Sequence, residues 1–349
     1  MHDLLRRRLV LFLASLAVTV AGFAQDASLL RYDGPDRAGK LVAAAQKEGS
    51  VTLYTSLAEK DLPPLIAQFE KKYGVKVNVW RSASEKVLQR TVSEAAARRH
   101  DVDAIQSAAL EMEALHREKI LQPVALPRST QLIAGALRPH GEWVATFLSV
   151  WVQAYNTRLV RKEDLPRTFQ DLLDPKWKGK LGIEAHVPEW YSTVVLDMGE
   201  EKGIRFFREL ASRNGISARR GHSLLNNLVI AGDVPLALTV YHYLPEAAKR
   251  KGAAIDWFVL EPAVARTSGI GIARRAPHPN AALLFLDFML SKETGQRVIR
   301  EVSRIPTHPE VLPNPPRLRE GFDFINVDPV KYNDKIDHCT NLRHEWFLQ

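Results

Sequence analysis

The sequence predicts an α/β protein of two hinged lobes, each a mostly parallel sheet flanked by helices. Three observations carry that expectation. Once a leader of residues 1–24 is removed, the 349-residue chain keeps roughly 325 residues, more than one hydrophobic core usually serves. From Val51 onward strand-like and helix-like segments alternate, which implies parallel strands joined by right-handed crossovers. Two β-favouring runs, near 147–155 and 258–267, carry the chain out of the first half and back. The expected division is residues 25–146 and 266–349 for lobe 1 and 147–265 for lobe 2.

The leader, "MHDLLRRRLVLFLASLAVTVAGFAQ", has a cationic start at Arg6, Arg7 and Arg8, an apolar stretch from Leu9 to Val20, and small residues Gly22 and Ala24 before Gln25. That order is a secretory signal peptide, too short and wrongly flanked for a membrane span. It predicts export to the periplasm. No cysteine lies near the cut, so lipid anchoring is not expected. Apolar content of 46% and charged content of 25% are ordinary for a globular protein. The net charge of +8 falls to about +6 on cleavage, because three arginines leave with Asp3. This excess fits an anionic partner, but the charges are interspersed and form no basic stripe, so no nucleic-acid role is expected. Cys339 is alone, which excludes a disulfide framework and a thiolate metal site. His338 and His344, close to it, read as surface residues.

The elements follow in order. "VTLY" is a compact strand, and Leu62, Leu65, Ile66, Phe69 and Tyr73 mark one face of a helix that Gly74 stops. "VKVNVW" alternates as a second strand, a helix runs from about Ser84 to Arg99, and "VDAI" is a third strand with a helix near Leu110. "EWVATFLSVWVQAYN" is long enough to pass between lobes. Pro166 and Pro175 bracket a short helix before a strand at "KLGI", then helices flank "RNGISARRGHS", and the apolar strand "VPLALTV" ends at "YHY". The chain returns through "IDWFVLEPAVARTSGIGIARRA", and "HPNAALLFLDFMLSKETGQRVI" supplies two more helices.

Ligands of open α/β sheets bind at the carboxyl ends of strands, where helix N-termini offer free N–H groups. Thr55 and Ser56 follow the first strand, Ser82 and Ser84 the second, and Gln106 and Ser107 the third, so these residues are candidates for one binding rim. Each hydroxyl could instead serve only as a helix cap. Arg219 and Arg220 could add a bidentate contact to an anion, or lie on a solvated loop. Tyr241, His242 and Tyr243 sit at a strand end and are read as lining a cleft, with core packing as the alternative.

The order "VTLYTS", "FEKKYGVKVNVW", "DPKWKGKLGI", "AGDVPLALTVYHY", "SGIGIARRAPHPNAALLFLDFMLSKETGQ" resembles the periplasmic solute-binding proteins of ABC importers, extracellular solute-binding family 1, and within them the ferric-binding-protein-like group. The resemblance implies a two-lobed hinged fold of the type II periplasmic-binding kind and a permease partner in the inner membrane. Ferric members place two adjacent tyrosines where this chain has His242 and Tyr243, so one matches. Where the best-known members use a histidine and a glutamate from the first lobe, Ala58 and Gln106 stand here. Relatives that bind iron mainly through tyrosines make Tyr155 a second candidate ligand.

Ferric iron prefers anionic oxygen, and one phenolate opposite serines is a thin coordination sphere. The first expectation is therefore a non-enzymatic monomer, without a cofactor, that captures a small organic phosphate, phosphonate or carboxylate. The alternative is ferric iron as transported ligand, bound through Tyr243 and Tyr155. Two further readings are an exported hydrolase and a sensor component that presents its ligand to a receptor. The hydrolase finds no support in a G-x-S-x-G elbow, an H-E-x-x-H helix or a phosphate-binding glycine loop.

Overall fold

The computed structural model describes residues 27–334. The leader and the C-terminal His338, Cys339 and His344 lie outside the described residues. Helices α1 (Arg37–Glu48), α2 (Leu62–Tyr73), α3 (Ser84–Ala96) and α4 (Ala109–Arg117) alternate with strands β1 (Ser50–Thr55), β2 (Lys76–Arg81) and β3 (Ala104–Ala108). After β4 (Leu121–Gln122) comes the long β5 (Trp143–Asn156). The second half contains β6 (Leu181–Glu184), α5 (Pro188–Met198), α6 (Glu200–Asn214), β7 (Ser217–Arg219), α7 (His222–Ala231), β8 (Leu236–Tyr241), α8 (Tyr243–Arg250) and β9 (Ile255–Phe258). The chain returns through β10 (Ala263–Ala273), α9 (Pro279–Leu290), α10 (Gly295–Glu301), β11 (Ile305–Pro306), β12 (Phe324–Asn326) and α11 (Pro329–Asp334).

Local chemistry accounts for the first helices. In α2 the residues Leu62, Leu65 and Phe69 are buried at helical spacing, and Gly74 ends the helix at φ 70°, its N–H donating to Glu70 O at 2.8 Å. The stretch between Pro166 and Pro175, expected as a short helix, forms only 3-10 turns at Gln170–Leu173 and Pro175–Trp177. Two prolines nine residues apart leave too few donors for an α-helical ladder there.

One sheet runs through the molecule in the order β2-β1-β3-β10-β5-β8-β6-β7. Each half has three parallel strands, β2-β1-β3 and β8-β6-β7. Between them β5 and β10 pair antiparallel and form the bridge. All fourteen residues of β5 are buried, as expected of a strand covered on both faces. The register of β5 and β10 shifts between Ser268 and Gly269, where a β-carbon on Gly269 would lie 2.4 Å from the Trp143 ring. Only glycine fits there.

The buried apolar residues separate along the same strands. One core draws on residues 30–147 and 270–299, and the other two draw on 148–265. The cores part between Phe147 and Leu148 of β5. Ile305, Leu318, Val327 and Tyr332 belong to the stretch assigned from sequence to lobe 1, yet they join the second and third cores. The cause is strand pairing: β12 adds to the 263–265 end of β10, and β11 pairs with Phe147 and Leu148 of β5.

Candidate functional site

At the end of β8 the chain turns sharply from strand to helix, and the three residues of "YHY" point to three environments. Tyr241, the last residue of β8, pairs with Trp151 of β5, and their rings lie 5.4 Å apart. Its ring also meets His222 at 4.0 Å and stacks on Tyr243 at 5.8 Å, while the Arg266 guanidinium stands 5.1 Å from its centre. Burial pushes the Tyr241 phenol well above its usual pKa.

His242 does not line the cleft. It is fully buried, its N–H donates to Val150 O at 3.0 Å, and its Nδ1 accepts from Val150 N at 3.0 Å. Burial, seconded by the Arg304 charge, drives its pKa down to about 3, against backbone hydrogen bonds with Val150 and Ser303 that act upward. The expected cleft-lining role of His242 is thereby corrected: this ring is neutral and ties α8 to β5. Its sequence position beside a tyrosine carried no sign of that, because a strand end can send alternate side chains inward or outward.

Tyr243 does line the cleft. A cavity of about 600 Å³ is bounded by Ala58, Glu59, Lys60 and Arg81 from the first half and Ser223 and Tyr243 from the second. Lys60 Nζ stands 5.7 Å from the Tyr243 ring centre. Beneath the ring, the Arg304 guanidinium carbon lies 3.5 Å from its centre. Arg304 is itself held by the buried carboxylate of Asp61, with Nη2 donating at 2.7 Å and Nε at 3.1 Å. Burial presses the Arg304 pKa downward, but Tyr243 and Asp61 outweigh it and raise the value, so the guanidinium stays charged. The short turn Glu59–Asp61 thus sends one side chain into each layer of the site: Glu59 to the cavity, Lys60 over Tyr243, Asp61 under it.

The expected hydroxyl rim divides. The strand ends are in register, with Thr55 opposite Arg81 and Gln106, so Ser56, Ser82 and Ser107 fall at one sheet edge as predicted. Thr55, Gln106 and Ser107, however, are fully buried. Thr55 Oγ1 donates to Gln106 Oε1 at 2.5 Å and accepts from Leu57 N, which fixes the turn. Ser107 Oγ donates to Ser56 Oγ at 3.5 Å. Ser82 and Ser84 are half-buried and do not cap α3, whose N-cap is Ala83 without a side-chain bond. None of these six side chains bounds the cavity. Arg219, the last residue of β7, and Arg220 after it are exposed and do not bound it either.

Tyr155 is excluded from the site by register. It pairs with Leu236, at the start of β8, whereas Trp151 pairs with Tyr241 at its end. Four residues of antiparallel strand separate them by about 14 Å. The Tyr155 ring is buried beside Phe258, and burial raises its pKa.

A second polar layer lies beside Tyr241 and was not foreseen. Arg266 Nη1 donates to Glu189 Oε1 at 2.8 Å. Glu111 belongs to the same electrostatic neighbourhood; desolvation lifts its carboxyl pKa to about 7, only partly offset by Arg266, and its Oε2 is enclosed without a hydrogen-bond partner among the described residues. Glu59 and Lys60 were accessible to the strand-end rule, since both follow β1. Arg304, Arg266 and Glu189 gave no sequence signal, because each reaches the layer from a distant segment.

Residues 104–331 match the family described as bacterial extracellular solute-binding protein. The chain belongs to that family. Among curated relatives, Iron uptake protein A1 of Synechocystis is 26% identical over 304 residues, covering 82% of this chain and 83% of the relative. Among solved structures, iron-bound HitA of Pseudomonas aeruginosa superposes with TM-score 0.74 at 19% identity, covering 86% of this chain and 99% of that one. A Trichodesmium protein in complex with iron and citrate gives TM-score 0.70 at 22% identity, covering 85% and 100%. At these identities the structural likeness shows the two-lobed fold alone. The family places this chain as the solute-binding component of an ABC importer, and one matched relative, from Serratia marcescens, is named an Fe(3+)-binding periplasmic protein.

Proposed function

We propose that the cleft captures ferric iron together with a small oxyanion, as a monomer that hands its cargo to an inner-membrane permease and has no nucleic-acid partner. This reverses the order of the two sequence-based expectations. The observation that carries it is the pairing of Glu59 and Tyr243, hard oxygen donors from opposite halves, on one cavity with Lys60 and Arg81. Glu59 stands next to Ala58, where the resemblance had left the first half without a ligand. Carboxylate and phenolate suit a hard trivalent cation. Lys60 and Arg81 suit an anion that would complete the coordination sphere. Arg304 under the Tyr243 ring offsets the negative charge that a phenolate–metal bond places there. The names of the relatives, an iron uptake protein and an iron-and-citrate complex, support the same cargo.

The test is spectroscopic. Ferric citrate added to the iron-free protein should produce an intense visible band from phenolate-to-metal charge transfer. Tyr243→Phe should abolish it, and Glu59→Gln should weaken binding by at least tenfold, about 1.4 kcal/mol. A colourless protein that binds citrate or an organic phosphate with the same affinity with or without iron would restore the organic-anion reading.

A further inference from the structure

We propose that Glu113, His116 and His140 form a second cation site, for a divalent metal of the zinc class, in the first lobe and separate from the cleft. Glu113 and His116 lie three residues apart on α4, on one face of the helix. His140 reaches them from the loop before β5 and stacks on His116 with ring centres 3.8 Å apart. One donor atom from each of the three lies within 4.8 Å of the other two. The cleft lies at the other end of α4: His116 sits about 10 Å along the axis from Ala109, which follows the carboxyl end of β3.

Two features mark this as more than a polar cluster. The Glu113 side chain is 5% exposed, yet among the described residues its Oε2 has no hydrogen-bond partner, and the same holds for His140 Nε2, 3.5 Å away. A buried carboxylate oxygen and a buried ring nitrogen left facing each other are costly unless a third group satisfies both. The second feature is the support behind His116. Its Nδ1 donates to Glu142 Oε2 at 2.8 Å, which leaves Nε2 as the free lone pair, and Arg274 holds the other Glu142 oxygen at 3.3 Å. A carboxylate behind a ligating histidine is the arrangement that orients metal-bound imidazoles.

Two nitrogens and one carboxylate oxygen, with water in the fourth position, match zinc's donor preferences. Tetrahedral zinc brings its ligand atoms to about 3.3 Å of one another; Glu113 Oε2 and His140 Nε2 already stand 3.5 Å apart, and the three donors lie within 4.8 Å of one another. Binding would also fan the stacked rings apart, because the ion must lie near both ring planes. His140 would change tautomer: its Nδ1 now accepts from Glu142 N at 3.0 Å, and coordination through Nε2 moves the proton to Nδ1, which breaks that hydrogen bond and turns the ring. The result is a clip between α4 and the segment leading into β5.

The experiment uses chelator-stripped mature protein and Zn²⁺ alone, followed by calorimetry and by histidine nitrogen NMR. One Zn²⁺ per chain should bind, with the Nε2 resonances of His116 and His140 shifting and His140 changing tautomer. His116→Asn and His140→Asn should each weaken binding by roughly 100-fold or more, and Glu142→Ala by about 10- to 100-fold. Tyr243→Phe should leave it unchanged. No uptake at a large excess of Zn²⁺ would overturn the site. So would uptake indifferent to the His116 and His140 replacements, which would put the ion elsewhere. Should a variant fold poorly by circular dichroism, the wild-type NMR result decides, and unshifted His116 and His140 signals reject the proposal.

Discussion

Tyr243 is positioned by charge from below and by a helix start behind it. Arg304 is 5% exposed in its side chain and its partner Asp61 2% exposed, so the pair is removed from water. Breaking such a pair leaves the remaining charge uncompensated, and Arg304→Met should destabilise the protein by about 3–5 kcal/mol. Replacing both partners, Asp61→Leu with Arg304→Met, should restore much of that stability, while the cleft still loses its support under Tyr243. Urea unfolding of the three proteins beside a ferric titration measures both effects. Stability lost equally in the single and double variants would show that the guanidinium acts through packing on Tyr243 and Phe147 rather than through Asp61.

At the scale of elements, the two bridging strands set the relation between the halves. β5 and β10 approach so closely at their register shift that Gly269 touches the Trp143 ring position, and Gly271 faces the Glu142 carbonyl. Gly269→Ala would force the indole aside or the strands apart. Overpacking of this kind costs typically about 1–3 kcal/mol, and the thermal midpoint should fall accordingly. An unchanged midpoint with an unchanged tryptophan emission would mean that the bridge yields freely. The strand–turn–helix at β8 and α8 is the other decisive element. It turns one tripeptide into a stacked tyrosine, a core histidine and a cleft tyrosine, a division that alternation in sequence cannot announce.

For the whole molecule, acid stability should depend on buried groups of opposite sign. His242 and His222 each have a folded pKa of about 3 against about 6.5 unfolded, so protons favour the unfolded chain between those values and their contributions are lost as pH falls. Glu111 has a folded pKa of about 7, above the ordinary 4.5, so its contribution is present below 4.5 and lost as pH rises through 7. Between pH 4.5 and 6.5 Glu111 offsets one of the two histidines and leaves a net slope of about 1.4 kcal/mol per pH unit; below 4.5 both histidines act without that offset. Glu111→Gln should therefore roughly double the slope between pH 4.5 and 6.5. Chemical denaturation of both proteins across that range measures the difference, and parallel curves would remove Glu111 from the account.

Much of this molecule was determined by sequence alone. Alternating strand and helix patterns, the stop at Gly74 and the long run at Trp143–Asn156 follow from backbone preference and apolar periodicity, which act locally. The family resemblance and the strand-end placement of "YHY" also survive. Tertiary structure decided which strand-end side chains face the cleft. Thr55, Gln106, Ser107 and His242 were buried by strands that meet only after folding, and Tyr155 was moved out of the site by its register with β8. Arg304 and Asp61 are 243 residues apart and meet because the chain crosses back between its halves. A site assembled between distant segments is set by long-range packing, and no local pattern encodes which charge will stand beneath which ring.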